Sequence, residues 1–178
     1  MSNVSDDGLK ALIRDVPDFP KAGILFKDIT PLLASPDAFA TVLDRISTHF
    51  HGDRAFDAVV GIESRGFIFG AALAARTARS FVPVRKPGKL PAARDRVEYS
   101  LEYGTDALEM HKRSIAPGQR VLVVDDVIAT GGTVGAAIDL VKLQGGVVVG
   151  VAFAVELSFL GGRSRLPAGV ECFSVLTY

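Results

Sequence analysis

The sequence predicts an α/β fold, a doubly wound and mainly parallel sheet flanked by helices. Three observations carry this. Apolar runs dense in β-branched residues, at Phe56 to Ile62, Val121 to Val124 and Val147 to Val155, read as strands buried on both faces. A helix follows each of the first two, and the one after Val121 to Val124 has helical apolar spacing. Short loops of small or polar residues join each strand to its helix, and that alternation is the mark of parallel strands linked by crossovers.

Taken in order, Leu9, Leu12, Ile13 and Val16 fall at helical spacing, and Pro17 ends that helix. Asp18 to Thr30 reads as an irregular segment with Ile24, Leu25 and Phe26 in a row. So much apolar area must pack on something, either as a cover over the core or as a wall of a substrate pocket. Ser35-Pro36-Asp37 starts a helix, with serine at the N-cap and proline at the first helical position, and Phe39, Val42, Leu43 and Ile46 form its buried stripe. Phe56 to Ile62 is the first core strand, Glu63-Ser64-Arg65-Gly66 the loop at its carboxyl end, and Phe67 to about Thr77 the helix beyond. Gly61 to Gly66 is one residue too long for the G-x-S-x-G elbow of a hydrolase.

Phe81 to Val84 is a short strand whose proline marks an edge or a strand end. Arg85, Lys86 and Lys89 load the next loop with positive charge. Such a run is usually a solvated surface loop; at a strand's carboxyl end it suits an anion. Ala92 to Lys112 breaks the rhythm with Val97, Tyr99, Leu101 and Tyr103 in strict alternation, a strand or hairpin excursion suited to a mobile lid. Pro117-Gly118 turns into the central strand, Val121 to Val124, expected to end at Asp125-Asp126. The loop Ala129-Thr-Gly-Gly-Thr133 follows, then a helix with Val134, Ala137, Ile138 and Val141 on its buried face. Gly145-Gly146 ends that helix, Ser158 to Arg165 is a short polar connection, and Glu171 to Leu176 is the last strand.

The joint after the central strand has the most specific chemistry. Thr130, Gly131, Gly132 and Thr133 can aim several backbone N–H groups and two hydroxyls at one anion, beside the positive end of a helix dipole. Asp125 and Asp126, expected to face solvent at the strand end, repel an anion but accept hydrogen bonds from paired hydroxyls, such as the 2′ and 3′ groups of a ribose. The ligand inferred from the residues is a ribose 5-phosphate moiety. Arg65 would stand beside this loop if the two strands are neighbours, and a guanidinium holds two phosphate oxygens at once; otherwise it is a surface arginine in a turn. No lysine follows Gly131-Gly132 as a P-loop requires, and no two glycines stand two apart as a dinucleotide fingerprint requires. Direct magnesium binding by Asp125-Asp126 ranks below ribose binding.

Composition narrows the class. A length of 178 residues suits one domain, 1–178. Lysine plus arginine and aspartate plus glutamate both number 20, so no nucleic-acid partner is expected. The longest uncharged apolar run, Gly145 to Val155, falls short of the roughly 20 residues that span a bilayer, and the N-terminus has no signal-peptide pattern. A soluble cytoplasmic protein without a membrane partner is expected. Cys172, in an apolar run, reads as an inert buried thiol, and His49, His51 and His111 form no compact ligand set.

The stretch from Val121 to Thr133 resembles the phosphoribosyl-pyrophosphate (PRPP) signature of the type I phosphoribosyltransferases. Val16-Pro-Asp-Phe-Pro20, Gly23-Ile-Leu-Phe-Lys-Asp-Ile-Thr-Pro31, Ser64-Arg-Gly-Phe67, Arg85-Lys-Pro-Gly-Lys-Leu-Pro91 and Tyr99-Ser-Leu-Glu-Tyr-Gly104 extend the resemblance, over nearly the whole chain, to the adenine phosphoribosyltransferase family. The resemblance implies a hood over about 1–34, a flexible lid over about 92–112, and purine salvage in which adenine and PRPP give AMP and pyrophosphate. It implies that Ala129 to Thr133 hold the 5′-phosphate, that Asp125 and Asp126 hold the ribose, and that Arg65, Arg85, Lys86 and Lys89 serve the phosphates, with Mg2+ carried by the pyrophosphate and water and no direct protein ligand. Glu102 takes the acid–base role, beside Tyr103. Adenine lies between Phe26 and Leu157, pairing with backbone at Leu25 and Lys27; Lys27 replaces an arginine common in that family. A homodimer is also implied, with the Arg85–Lys89 loop near the partner. Ala129 stands where 6-oxopurine relatives carry an aspartate, which disfavours a guanine or xanthine enzyme. A PRPP-sensing transcriptional regulator would need a basic surface and an added DNA-binding module.

Overall fold

The computed structural model describes residues 3–100 and 104–178 and divides the chain into two compact units, Met1–Arg45 and Ile46–Tyr178.

The first unit opens with a short helix, α1 (Asp6–Lys10), capped by Ser5, whose hydroxyl accepts from the Gly8 amide. The helix expected to run on to Val16 stops at Lys10. Arg14–Pro17 instead forms strand β1, antiparallel to β2 (Leu25–Asp28), inside the segment read as irregular. Cross-strand pairing overrides the helical spacing here. Arg14 faces Asp28 at 2.8 Å and Lys27 faces Asp15 at 2.6 Å, so opposite charges stand at two successive register positions. Helix α2 (Thr30–Ala34) follows, and α3 (Pro36–His49) starts at the expected serine, with Val42, Leu43 and Ile46 buried and Phe39 only partly so.

The second unit is the predicted sheet. Strands β3 (Ala58–Ile62), β4 (Ser80–Val84), β7 (Arg120–Ile128), β8 (Val147–Glu156) and β9 (Cys172–Thr177) lie parallel in the order β4-β3-β7-β8-β9. Helix α4 (Gly66–Thr77) crosses from β3 to β4, and α5 (Gly132–Leu143) from β7 to β8. Pro83 sits on the edge strand β4, where its missing N–H costs no ladder bond. Val121 to Val124 are all fully buried, as are Ala137, Ile138 and Val141 of α5.

Strand β7 runs longer than its apolar residues suggested. It continues through Asp125 and Asp126 to Ile128 because the ladder to β8 persists, with Asp125 opposite Phe153 and Ile128 opposite Glu156. The polar excursion is an antiparallel hairpin, β5 (Arg94–Ser100) with β6 (Thr105–His111). Its inner face joins the sheet's core: Leu108 and Met110 are fully buried, with Tyr99 beside them in the same cluster.

Candidate active site

Strand order decides where a ligand can sit. From β3 the chain winds outward to β4, whereas from β7 it winds the other way to β8 and β9. The connections therefore diverge between β3 and β7 and leave a crevice at their carboxyl ends. Two loops frame it, Glu63 to Arg65 after β3 and Ala129 to Gly131 after β7. The juxtaposition of Arg65 with the acidic pair, conditional in the sequence, is realised: Arg65 Nε lies 2.9 Å from Asp126 Oδ2. The close approach depends on Gly66, where a Cβ would lie 2.7 Å from Asp125 Oδ1 and 2.9 Å from the Val124 carbonyl oxygen.

The loop after β7 has the backbone conformation its glycines suggested. Gly131 adopts φ +84° as the N-cap of α5, a left-handed conformation natural to glycine, and so opens the first turn of a 12-residue helix toward the crevice. A small open concavity lies there, lined by Asp125, Ala129, Thr130, Gly131 and Thr133 among others. Thr130 and Thr133 are half-buried, within reach of a ligand.

The acidic pair is more deeply placed than a solvated strand end. Asp126 is only 4% exposed, which corrects the expectation of a solvent-facing carboxylate. Burial, then repulsion from Asp126, holds the Asp125 carboxyl well above the usual carboxylate range. Burial also raises Asp126, with Arg65 opposing it. Two buried, mutually repelling acids held this way are poor for core stability and well suited to accepting from neutral hydroxyls. Among the described residues no group of three or more histidine, cysteine, aspartate or glutamate side chains is arranged to hold a metal ion.

The basic loop after β4 is tied down by its own counter-ions. Glu63 accepts from the Lys86 amide at 2.9 Å and from the Arg85 guanidinium at 3.3 Å. Burial pushes the Glu63 carboxyl up, and these donors more than offset it. Lys86 Nζ donates to Asp106 and, at 2.8 Å, to the Tyr99 hydroxyl; Lys89 is exposed. Burial lowers the Lys86 pKa, but those two partners leave it raised overall. Tyr99 also reaches the phosphate loop, with its hydroxyl 3.4 Å from Thr133 Oγ1. One tyrosine of the hairpin thus touches both candidate anion loops.

Leu25, Phe26 and Lys27 all lie on β2 of the first unit, where Leu25 is 47% exposed and Phe26 packs edge-on against Phe19 at 5.1 Å. The Lys27 ammonium is engaged by Asp15, which gives that side chain a place in the hairpin. Leu157, in the second unit, follows β8 and donates its amide to the Ile128 carbonyl at 3.0 Å. Glu102 and Tyr103 lie outside the described residues. Sequence reasoning missed Glu63, Tyr99 and Asp106 as organisers of the site, and Gly162, which packs against the phosphate loop. The signals were faint: an acid at a strand end, one tyrosine of an alternating run, and the Gly161-Gly162 pair.

Comparison with known proteins now decides the family. Residues 29–167 match the phosphoribosyl transferase domain. An adenine phosphoribosyltransferase of Sorangium cellulosum is 67% identical over 158 residues, covering 89% of this chain and 78% of that one. The chain belongs to the adenine phosphoribosyltransferases. It is a glycosyltransferase of purine salvage that moves the 5-phosphoribosyl group of PRPP to adenine, giving AMP and pyrophosphate. The crystal structure of the adenine phosphoribosyltransferase of Thermoanaerobacter pseudethanolicus superposes with a TM-score of 0.94 at 49% identity, covering 98% of this chain and all of that one. That of Saccharomyces cerevisiae, complexed with adenine and an imino-altritol 1,6-bisphosphate, gives 0.90 at 40% identity over 96% and 97% of the two chains. Adenine phosphoribosyltransferases thus share this parallel sheet and its flanking helices.

Proposed function

We propose that the crevice between β3 and β7 holds PRPP, with the 5′-phosphate on Ala129 to Thr133 and the ribose hydroxyls on Asp125 and Asp126. The observation that carries this is the left-handed Gly131 opening α5 in one concavity with the half-buried Asp125, next to the buried Asp126, at the point where the sheet's winding reverses. Arg65 has two roles in this reading. It steadies Asp126 before substrate arrives and faces the pyrophosphate afterwards. Lys86, Lys89 and Arg85 supply further positive charge, with Lys86 exchanging Asp106 for a phosphate oxygen. Mg2+ belongs with the substrate. Asp126 is paired with Arg65, and burial raises the Asp125 carboxyl, an arrangement that suits hydroxyls better than a hard cation. When bound, the ion neutralises charge on the pyrophosphate.

In the reaction the anomeric C–O bond to pyrophosphate breaks, positive charge develops on the sugar, and N9 of adenine bonds to the anomeric carbon from the opposite face. The purine proton must leave, and Glu102, with Tyr103 beside it, is the group this reading assigns to receive it. The segment of about 92–112 then serves as the lid. Preorganised positive charge and positioning supply most of the acceleration. Family membership assigns Phe26 and Leu157, with the backbone of Leu25 and Lys27, to adenine. Support comes from the Saccharomyces relative, whose ligands are adenine and a sugar bisphosphate mimic. A cytoplasmic homodimer, with residues 1–34 as hood, completes the reading on the strength of family membership.

The test is purified protein with PRPP, Mg2+ and each nucleobase in turn, following pyrophosphate release. Backbone that reads N1 and the amino group of adenine meets reversed polarity in hypoxanthine, and unpaired polar groups in a closed pocket cost about 10⁴ in selectivity. Turnover of hypoxanthine equal to that of adenine would overturn the base assignment.

A further inference from the structure

The segment after Leu157 has a role that its short polar character did not suggest. Gly161, at φ +65°, turns the chain into a short 3-10 turn, Gly162–Arg165. The backbone of Gly162 lies directly against the phosphate loop. A Cβ on Gly162 would overlap the Ala129 carbonyl oxygen and come within 3.0 Å of the Gly131 amide nitrogen; one on Gly131 would lie 2.6 Å from the Gly162 carbonyl oxygen. Two glycines thus interlock main chain against main chain, and neither can gain a methyl group without moving the other.

The turn is itself anchored. Arg163 donates Nε to Glu156 Oε1 at 2.9 Å, Nη2 to Oε2 at 2.6 Å, and Nη1 to the Cys172 carbonyl at 2.6 Å. Glu156 is only 6% exposed and stands opposite Ile128 in the ladder, one residue before the phosphate loop begins. Ser164 Oγ closes the turn on the Gly161 carbonyl at 2.7 Å. A forked ion pair at the end of β8 therefore fixes the height of Gly162, and Gly162 fixes the path of Ala129 to Gly131.

We infer that Gly162 and Arg163 are positioning residues for the 5′-phosphate loop, acting through main-chain contact with Ala129 and Gly131. This rests on the phosphate assignment made above. A 1 Å misplacement of a binding group costs up to about 10²-fold, so Gly162→Ala should raise the PRPP KM and weaken AMP binding by about 10–100-fold. The adenine KM should stay within about twofold, since the base is held elsewhere. Arg163→Gln should weaken AMP by about tenfold, and Arg163→Lys, which keeps a cation opposite Glu156, should recover part of that. Calorimetry with AMP, steady-state kinetics in each substrate and thermal melts are measured for these variants and for Thr133→Val, an alteration of the loop itself. If Gly162→Ala fails to fold, the Arg163 pair of variants decides. Wild-type AMP affinity in folded Gly162→Ala and Arg163→Gln, with Thr133→Val impaired, overturns the inference and leaves the phosphate assignment standing. Wild-type affinity in all of them, Thr133→Val included, overturns both.

Discussion

Asp126→Asn should weaken ligand binding and strengthen the fold, and the two effects have one origin. Asp126 is 4% exposed, lies next to Asp125 and has Arg65 on its other side. A hydrogen bond from a ribose hydroxyl to a charged acceptor contributes about 1.5–3 kcal/mol, and charge assistance accounts for about half of it. Asparagine keeps a carbonyl acceptor, so the loss is about 0.75–1.5 kcal/mol, or about 3–13-fold in the AMP dissociation constant. Alanine forfeits the whole bond and should cost about 10–150-fold.

Stability moves the other way. Burial raises both carboxyls, and their repulsion adds to the shift in Asp125. A carboxyl whose folded pKa is raised binds its proton more tightly in the folded state than in the unfolded one. Its contribution is therefore greatest at low pH and is lost as pH rises from near the ordinary 3.8 through the raised values. Removing one of the two charges should flatten that slope and add about 0.5–2 kcal/mol at pH 7, the usual scale for relieving a strained functional site. Urea unfolding between pH 4 and 8, beside AMP calorimetry, measures both. A variant less stable at pH 7 with unchanged AMP affinity would refute the reasoning, because the pair would then be structural.

Other outcomes follow from the same arrangement. Glu102→Gln should slow the chemical step by about 10²–10⁴ with PRPP affinity unchanged, read in single-turnover kinetics; wild-type rates would leave Glu102 without its assigned role. Lys86→Met should raise the PRPP KM and weaken pyrophosphate product inhibition, each by about tenfold, the scale of one lost charge-assisted contact, while the adenine KM holds. Cys172, pushed up to about 11 by burial, should react slowly with a disulfide reagent at pH 8 in the native protein and rapidly in urea; equal rates would show an accessible thiol.

The sequence alone determined the parallel sheet, because strands buried on both faces must be apolar throughout and crossover helices must carry one apolar stripe. It also located the strand–glycine-loop–helix joint after β7, since a glycine pair there marks where the backbone must turn sharply into the helix. Local spacing misled in the first unit, where Leu9, Leu12, Ile13 and Val16 fit a helix equally well. Only pairing with Leu25–Asp28, partners eight to fourteen residues away, made Arg14–Pro17 a strand. Long-range contact likewise decided how the site is held. Asp125 and Asp126 read as a solvated strand end because residue type carries no record of depth, and the ladder to β8 carries them inside. Arg65 meets Asp126, Tyr99 bridges Lys86 and Thr133, and Gly162 braces Gly131 across separations of 13 to 61 residues in sequence, where no local pattern exists to read. Periodicity and turn chemistry record what a residue does with its neighbours in the chain; the partners that fix this site are brought together only by the winding of the sheet.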